Sequence, residues 1–192
     1  FGYVKRPTHK SRQYDADRFE VCNHKWTALT EARRGFAILN DSKYGVNVAD
    51  GSINLTLLKA PLVPDMYADR GLQEFTYSFY VWNGSFADSR VAHEAYELNS
   101  PVFVRQGGVE RQEGSFFRVD SDGIILDTVK LAEDQSGAII LRLYESVKTT
   151  TTCQLSTTLP IVEAVETNML EETKNKLALH NGTIQLVFRP FE

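Results

Sequence analysis

Four carboxylates fall in or beside two polar stretches: Asp41 in Asn40-Asp41-Ser42-Lys43-Tyr44-Gly45, Asp65 and Asp69 in the run that ends Ala68-Asp69-Arg70-Gly71, and Glu74 just beyond it. Paired carboxylates are the equipment of glycoside hydrolysis, where one donates a proton and the other attacks or activates water. The same residues also do structural work. Asp41 can close an Asx turn on its own backbone, and Asp69 can pair with Arg70 and pin a loop. Sequence leaves both roles open, pinning or contact with a substrate or a neighbouring domain. Metal chemistry has less to work with. His9, His24, His93 and His180 are far apart, with no HExxH or CxxC spacing, so no metal-ligand set and no cofactor are expected in this chain. A GxSxG nucleophile elbow and a GxxxxGK phosphate loop are also missing.

The elements that must hold these stretches are strands. Gly35–Leu39, Ile53–Leu58 and Glu74–Val81 flank the two polar loops, and a strand-loop-strand arrangement presents loop side chains on a rigid support. Before them, Phe1–Val4 and Arg18–His24 read as strands, with Gln13–Asp17 a polar connector. Tyr44–Val48 leads into Asp50-Gly51, the pair that favours a tight hairpin. In Glu74–Trp82 (EFTYSFYVW) the side chains alternate: Phe75, Tyr77 and Phe79 on one face, Thr76, Ser78 and Tyr80 on the other. We assign Tyr77 and Trp82 to the core. Ser89–Leu98 is the one helix, with Asp88 as its cap and Val91, Ala95 and Leu98 on a shared face. Gln106–Gly114 reads as an exposed loop. The second half repeats the β theme at Ser115–Val119, Ile124–Leu131, Ala138–Ser146, Thr149–Leu155, Ile161–Thr167 and Thr183–Phe188. This pattern predicts an all-β protein, a large antiparallel β-sandwich with at most one short helix. No composition break divides residues 1–192, so one domain is expected.

Bulk properties exclude several classes. A net charge of −4 without a basic stripe argues against a nucleic-acid partner. The apolar runs are too short to span a membrane as a helix. Cys22 and Cys153 are too few for a disulfide framework and fit a reducing compartment, so a cytoplasmic location is expected. The Asn-x-Ser/Thr sequons at Asn40, Asn54, Asn83 and Asn181 are read as turn residues.

Asn40-Asp41-Ser42-Lys43-Tyr44-Gly45, Leu57-Leu58-Lys59-Ala60-Pro61, Ala68-Asp69-Arg70-Gly71 and Glu74-Phe75-Thr76-Tyr77 resemble the C-terminal β-region of family 38 glycoside hydrolases, the class II α-mannosidases. The similarity is closest to the cytosolic and bacterial branch. It continues through Leu141-Arg142-Leu143-Tyr144-Glu145, Glu166-Thr167-Asn168-Met169-Leu170-Glu171 and Phe188-Arg189-Pro190-Phe191-Glu192, and so covers essentially the whole chain. The resemblance implies a mutarotase-like sandwich cut from a longer polypeptide. It places the chemistry in an N-terminal catalytic domain, where Asp and His hold a divalent metal, zinc or cobalt, and two carboxylic acids carry out retaining hydrolysis. It implies that domain and a mannose-containing oligosaccharide as partners. The 192 residues alone are then expected to be inactive, with no catalytic residue among them.

The family pattern also places Asn40, Asp41, Lys43, Tyr44, Asp69 and Arg70 at the substrate rim or the interdomain face. One departure stands out. Where relatives commonly read Arg-Gly-x-His-Glu-Phe, this chain has Arg70-Gly71-Leu72-Gln73-Glu74-Phe75, and Gln73 cannot carry a proton. An excised domain should expose an apolar patch where its partner sat, or bury that patch in a homo-oligomer. The alternative reading is a stand-alone carbohydrate-binding module with Tyr44, Tyr67, Tyr77 and Trp82 as its platform.

Overall fold

The computed structural model describes residues 2–108 and 114–192. Its contacts divide the chain into two compact units, Val4–Val104 and the N-terminal residues to Tyr3 together with Arg105–Glu192. No composition shift announces that division. Every strand pairing is antiparallel. The strand-dominated fold class expected from sequence is therefore the one observed.

In the Val4–Val104 unit the elements are α1 (Gln13–Asp17), β1 (Val21–Cys22), β2 (Trp26–Thr30), β3 (Arg34–Asn40), β4 (Gly45–Ala49), β5 (Ser52–Leu55), β6 (Tyr77–Asn83) and α2 (Val91–Asn99). They form two sheets, ordered β1-β4-β5 and β2-β3-β6. The β4–β5 connection is the expected Asp50-Gly51 hairpin, with φ of +52° and +75° and Ala49 paired to Ser52. Positive φ at both turn residues matches the right-handed twist of the flanking strands.

The core of this unit lies where α2 covers one face of the second sheet. Ala37, Leu39, Trp82, Val91 and Ala95 are buried together, with Trp26, Ala28, Tyr80, Phe86 and Leu98 packed around them. Each fully buried aliphatic or aromatic side chain there contributes roughly 1.5–3 kcal/mol. Trp82 sits directly opposite Gly35. A Cβ on Gly35 would come within 1.9 Å of the indole, so only glycine lets the ring lie flat across the strand.

Several local expectations need correction. The helix begins at Val91, not Ser89, and Asp88 does not cap it. Asp88 instead accepts from the Ser85 amide (3.0 Å) and hydroxyl (2.8 Å), closing the short 3₁₀ turn Phe86–Asp88. Gln13–Asp17 is a helical turn held by Asp15, which accepts from the Arg12 amide at 3.1 Å. Arg18–His24 shrinks to the two-residue β1, and Gly2–Val4 is irregular while Phe1 lies outside the described residues. In β6 the alternation is as read but its sense is inverted. Tyr80 and Trp82 face α2, while Tyr77, placed in the core from sequence, is 48% exposed, with Phe79 at 65% and Val81 at 71%. The small α2 residues Val91 and Ala95 leave room for an indole, and that decides which face goes inward. The predicted loop Gln106–Gly114 falls largely, at 109–113, outside the described residues.

The second unit contains β7 (Phe117–Val119), β8 (Ile124–Leu131), β9 (Ile139–Glu145), β10 (Thr151–Thr157), β11 (Ala164–Thr167), β12 (Thr173–Leu177), β13 (Leu179–His180) and β14 (Thr183–Phe188). Its sheets are ordered β13-β14-β10-β7, β8-β9 and β11-β12. Strand β12, Thr-Lys-Asn-Lys-Leu, carries too little apolar signal to be read from sequence. Glu145 at the end of β9 is wholly buried. Its carboxylate accepts from the amides of Val147 (2.8 Å), Lys148 (2.9 Å) and Phe191 (2.9 Å). Backbone donors thus satisfy polar oxygens that would otherwise be costly to bury.

Candidate functional site

The first polar loop is folded from the inside. Asn40, at the end of β3, is 1% exposed. Its amide donates to Asn23 Oδ1 (2.9 Å), and its Oδ1 accepts from the Lys43 backbone amide (2.9 Å). Asn23 then donates to the Lys43 carbonyl (3.3 Å), and Asn99 of α2 donates to the Asn40 carbonyl (3.0 Å). Asp41 accepts from the Thr76 amide (2.9 Å) and the Ser42 hydroxyl (2.8 Å). The bond from Thr76 is the main reason the Asp41 carboxyl lies below its usual range. Asn40 and Asp41 are therefore the loop's internal frame.

That frame presents Lys43 and Tyr44. Tyr44 is half exposed and lies 4.8 Å, centroid to centroid, from the His24 ring. The Lys43 ammonium sits 4.8 Å above the ring of Phe75. In the second loop Asp69 accepts from the amides of Lys59 (2.8 Å) and Ala60 (2.6 Å), with Ala60 at φ +46°. Those two amides, helped by the charge of Lys43, hold the Asp69 carboxyl below its ordinary range. Arg70 does not pair with Asp69. Its guanidinium stacks 4.2 Å over the ring of Tyr67. Asp65 caps the Tyr67 amide (2.8 Å), and Glu74 is exposed on the approach to β6.

Tyr44 and Asp69 meet at one open groove of about 420 Å³, lined also by Glu20, Cys22, Thr56 and Lys59. Sequence reasoning missed Glu20 and Lys59. Glu20 Oε2 accepts from the Lys59 ammonium (2.5 Å) and Oε1 from the Thr56 hydroxyl (2.7 Å). The Lys59 bond is the larger cause, and Thr56 the next, of a Glu20 carboxyl held below its usual range. The residues lie 39 apart in sequence, so no local spacing could have joined them. The only hint was the alternation of Arg18–His24, which sets Glu20 opposite Phe19 and Val21.

The groove thus has an aromatic wall, two carboxylates that stay ionised at neutral pH, an ammonium and a hydroxyl. Such a set hydrogen-bonds and stacks against a polyhydroxylated ring. It is not arranged to donate a proton, because a general acid needs a raised carboxyl pKa. Among the described residues no three His, Cys, Asp or Glu side chains gather as metal ligands, so the divalent metal that the resemblance implies finds no fitting donor set here. Cys22 and Cys153 are both free thiols, and no helix of the described residues is long and apolar enough to cross a membrane.

A fold of antiparallel sheets with two polar loops is common to many β-rich domains, and comparison with known proteins narrows the class. Residues 1–67 match the family model described as "Glycosyl hydrolases family 38 C-terminal domain". Residues 123–192 match the one described as "Glycosyl hydrolases family 38 C-terminal beta sandwich domain". Alpha-mannosidase 2C1 from Mus musculus and its namesake from Homo sapiens are each 39% identical over 198 aligned residues, covering 100% of this chain and 19% of the relative. A crystal structure of an alpha-mannosidase from Enterococcus faecalis V583 superposes with a TM-score of 0.74 at 20% identity, covering 98% of this chain and 22% of that one. The chain belongs to glycosyl hydrolase family 38, in its C-terminal region, and spans about a fifth of the length of the relatives it matches.

Proposed function

We propose that this chain is the C-terminal β-portion of an α-mannosidase that removes terminal α-linked mannose from oligosaccharides by metal-assisted retaining hydrolysis. The reaction itself belongs to an N-terminal catalytic domain of the same polypeptide. Zinc or cobalt, when bound in that domain, supplies Lewis-acid contacts to sugar hydroxyls. The groove of this chain borders the substrate. Tyr44 stacks on a sugar face, while Asp69 and Glu20 accept hydroxyl hydrogen bonds. Lys43 and Arg70 shape the lip, and Asn40 and Asp41 keep the first loop rigid. The observation that carries this reading is the hydrogen bonding of the groove, where Lys59, Ala60 and Thr56 donate to its two carboxylates. Two free thiols favour a cytoplasmic setting.

The half-exposed rings of Tyr44, Tyr67 and Tyr77 keep a second reading in view, a carbohydrate-binding module that works alone. One experiment separates the two. Turnover of a chromogenic α-mannoside with added zinc or cobalt is measured for the full polypeptide that carries this stretch and for the 192 residues alone. Activity in the longer form only is the expected result. Turnover by the short chain, or none by the long one, overturns the proposal. Mannoside binding by the short chain without turnover by the long one favours the module.

A further inference from the structure

Strand β6 ends the β2-β3-β6 sheet, so one of its edges has no strand partner among the described residues. Edge strands that face water usually carry Lys, Pro or inward charges that discourage pairing. The β6 sequence, Tyr77-Ser78-Phe79-Tyr80-Val81-Trp82-Asn83, has none. Its two faces are both apolar. Tyr80 and Trp82 are spent on the α2 core, and the opposite face carries Tyr77, Phe79 and Val81 in the open. Cross-strand register sets Val81 beside the half-buried Phe36 and Leu29, and Phe79 beside Thr27 and Ile38, which is itself buried, so the open face is narrow and centred on β6. Phe36 and Phe79 stack at 5.8 Å, and Phe75 and Phe79 flank Tyr77 at 6.5 and 6.0 Å. A strand apolar on both faces is the mark of one buried on both.

The patch has the anatomy of an interface, an apolar centre and a charged rim. Lys43 lies over Phe75 at one end, and Glu31 and Arg34 pair at the other (2.8 Å). Its occupant follows from two facts. An uncharged, aromatic face suits a permanent cover better than a transient one. The relatives also carry about four-fifths of their length outside the stretch that this chain matches. We propose that the β6 face, centred on Phe79 and Val81, is the seat on which the N-terminal portion of the same polypeptide packs through an apolar surface. This inference rests on the reading of the chain as one part of a longer enzyme. It adds to that reading which face is covered.

The test compares solvent access at Val81 in the short chain and in the full polypeptide. Val81→Cys is introduced with Cys22 kept, and the rate of maleimide labelling at position 81 is followed by peptide mass spectrometry at several protein concentrations. Mannoside turnover of the full polypeptide is measured alongside. Labelling in the full polypeptide at least about tenfold slower than in the short chain is expected. Equal rates overturn the docking seat, and if turnover is intact the proposed function survives that failure. Protection of the short chain that grows with concentration also overturns it, because the cover is then a second copy. Absent turnover counts against the enzyme reading, while the labelling ratio still decides the seat. A Phe79→Asp variant supplies a second readout. It should lower the thermal midpoint of the full polypeptide by more than that of the short chain, where only the stacking on Phe36 and Tyr77 is lost, and a shift of equal size in both would contradict docking.

Discussion

Asp69 and Glu145 each hold a turn by accepting backbone amides, one at the edge of a groove and the other sealed inside its unit. Asp69 takes the amides of Lys59 and Ala60 from the surface of the Val4–Val104 unit. Glu145 takes those of Val147, Lys148 and Phe191 with none of its surface reaching water. The motif is shared and the consequences differ. Removing a buried acceptor leaves its donors nowhere to turn, whereas water replaces an exposed one at little cost. Glu145 should therefore set stability, and Asp69 should set the local shape of the groove that we propose meets a ligand.

The largest expected effect breaks the interior half of that comparison. Glu145→Ala strands buried amide donors and should destabilise by about 3 kcal/mol or more, read as a fall in the urea midpoint. Glu145→Gln, which keeps one acceptor, should recover part of the loss. A cost within about 0.5 kcal/mol, the range of ordinary surface changes, would mean the turn does not depend on this carboxylate. Gly35→Ala comes next, since its methyl must displace the Trp82 indole from the strand. Overpacking of that kind costs about 1–3 kcal/mol, and quenching or shifting of the tryptophan fluorescence should accompany it. Asn40→Ala is expected to cost about 2 kcal/mol, because Asn23 Oδ1 and the Lys43 amide lose their partner. Faster amide exchange at residues 41–44 is the local sign to look for.

The smallest stability effect belongs to Asp69→Asn, and its pH dependence sharpens the contrast. The folded carboxyl is held below its ordinary range, so its contribution is complete above the unfolded value of about 3.9 and fades as pH falls through the lower folded value. The substitution should lower stability in the neutral region, leave it unchanged below the folded value, and so flatten the acid limb of the profile in that window. An equal offset at every pH would show that the amide bonds to Asp69 do not depend on its charge.

How much of this was legible beforehand depended on distance along the chain. The Asp50-Gly51 hairpin, the α2 face of Val91, Ala95 and Leu98, and strands β8 and β14 rest on local chemistry, and the sequence carries them. The inward face of β6 did not, because both of its faces are apolar and the choice is made by α2, downstream in the chain. The first loop was recognised but not its frame, since the bond of Asn40 to Asn23 reaches back 17 residues. Of the six residues singled out, Tyr44 and Asp69 line the groove, whereas Asn40 and Asp41 support it from within. Glu20 and Lys59 complete the groove from separate elements; each lay in a stretch already read, but no local spacing joined two residues 39 apart.

The most direct test of the central claim, that this chain shapes substrate binding while the chemistry lies elsewhere in the polypeptide, is the split between KM and kcat in the full enzyme carrying Tyr44→Ala. The account predicts a severalfold rise in KM for an oligosaccharide substrate with kcat nearly unchanged, the signature of lost uniform binding. A fall in kcat with KM unaltered would contradict it, placing Tyr44 in the transition state rather than at the rim.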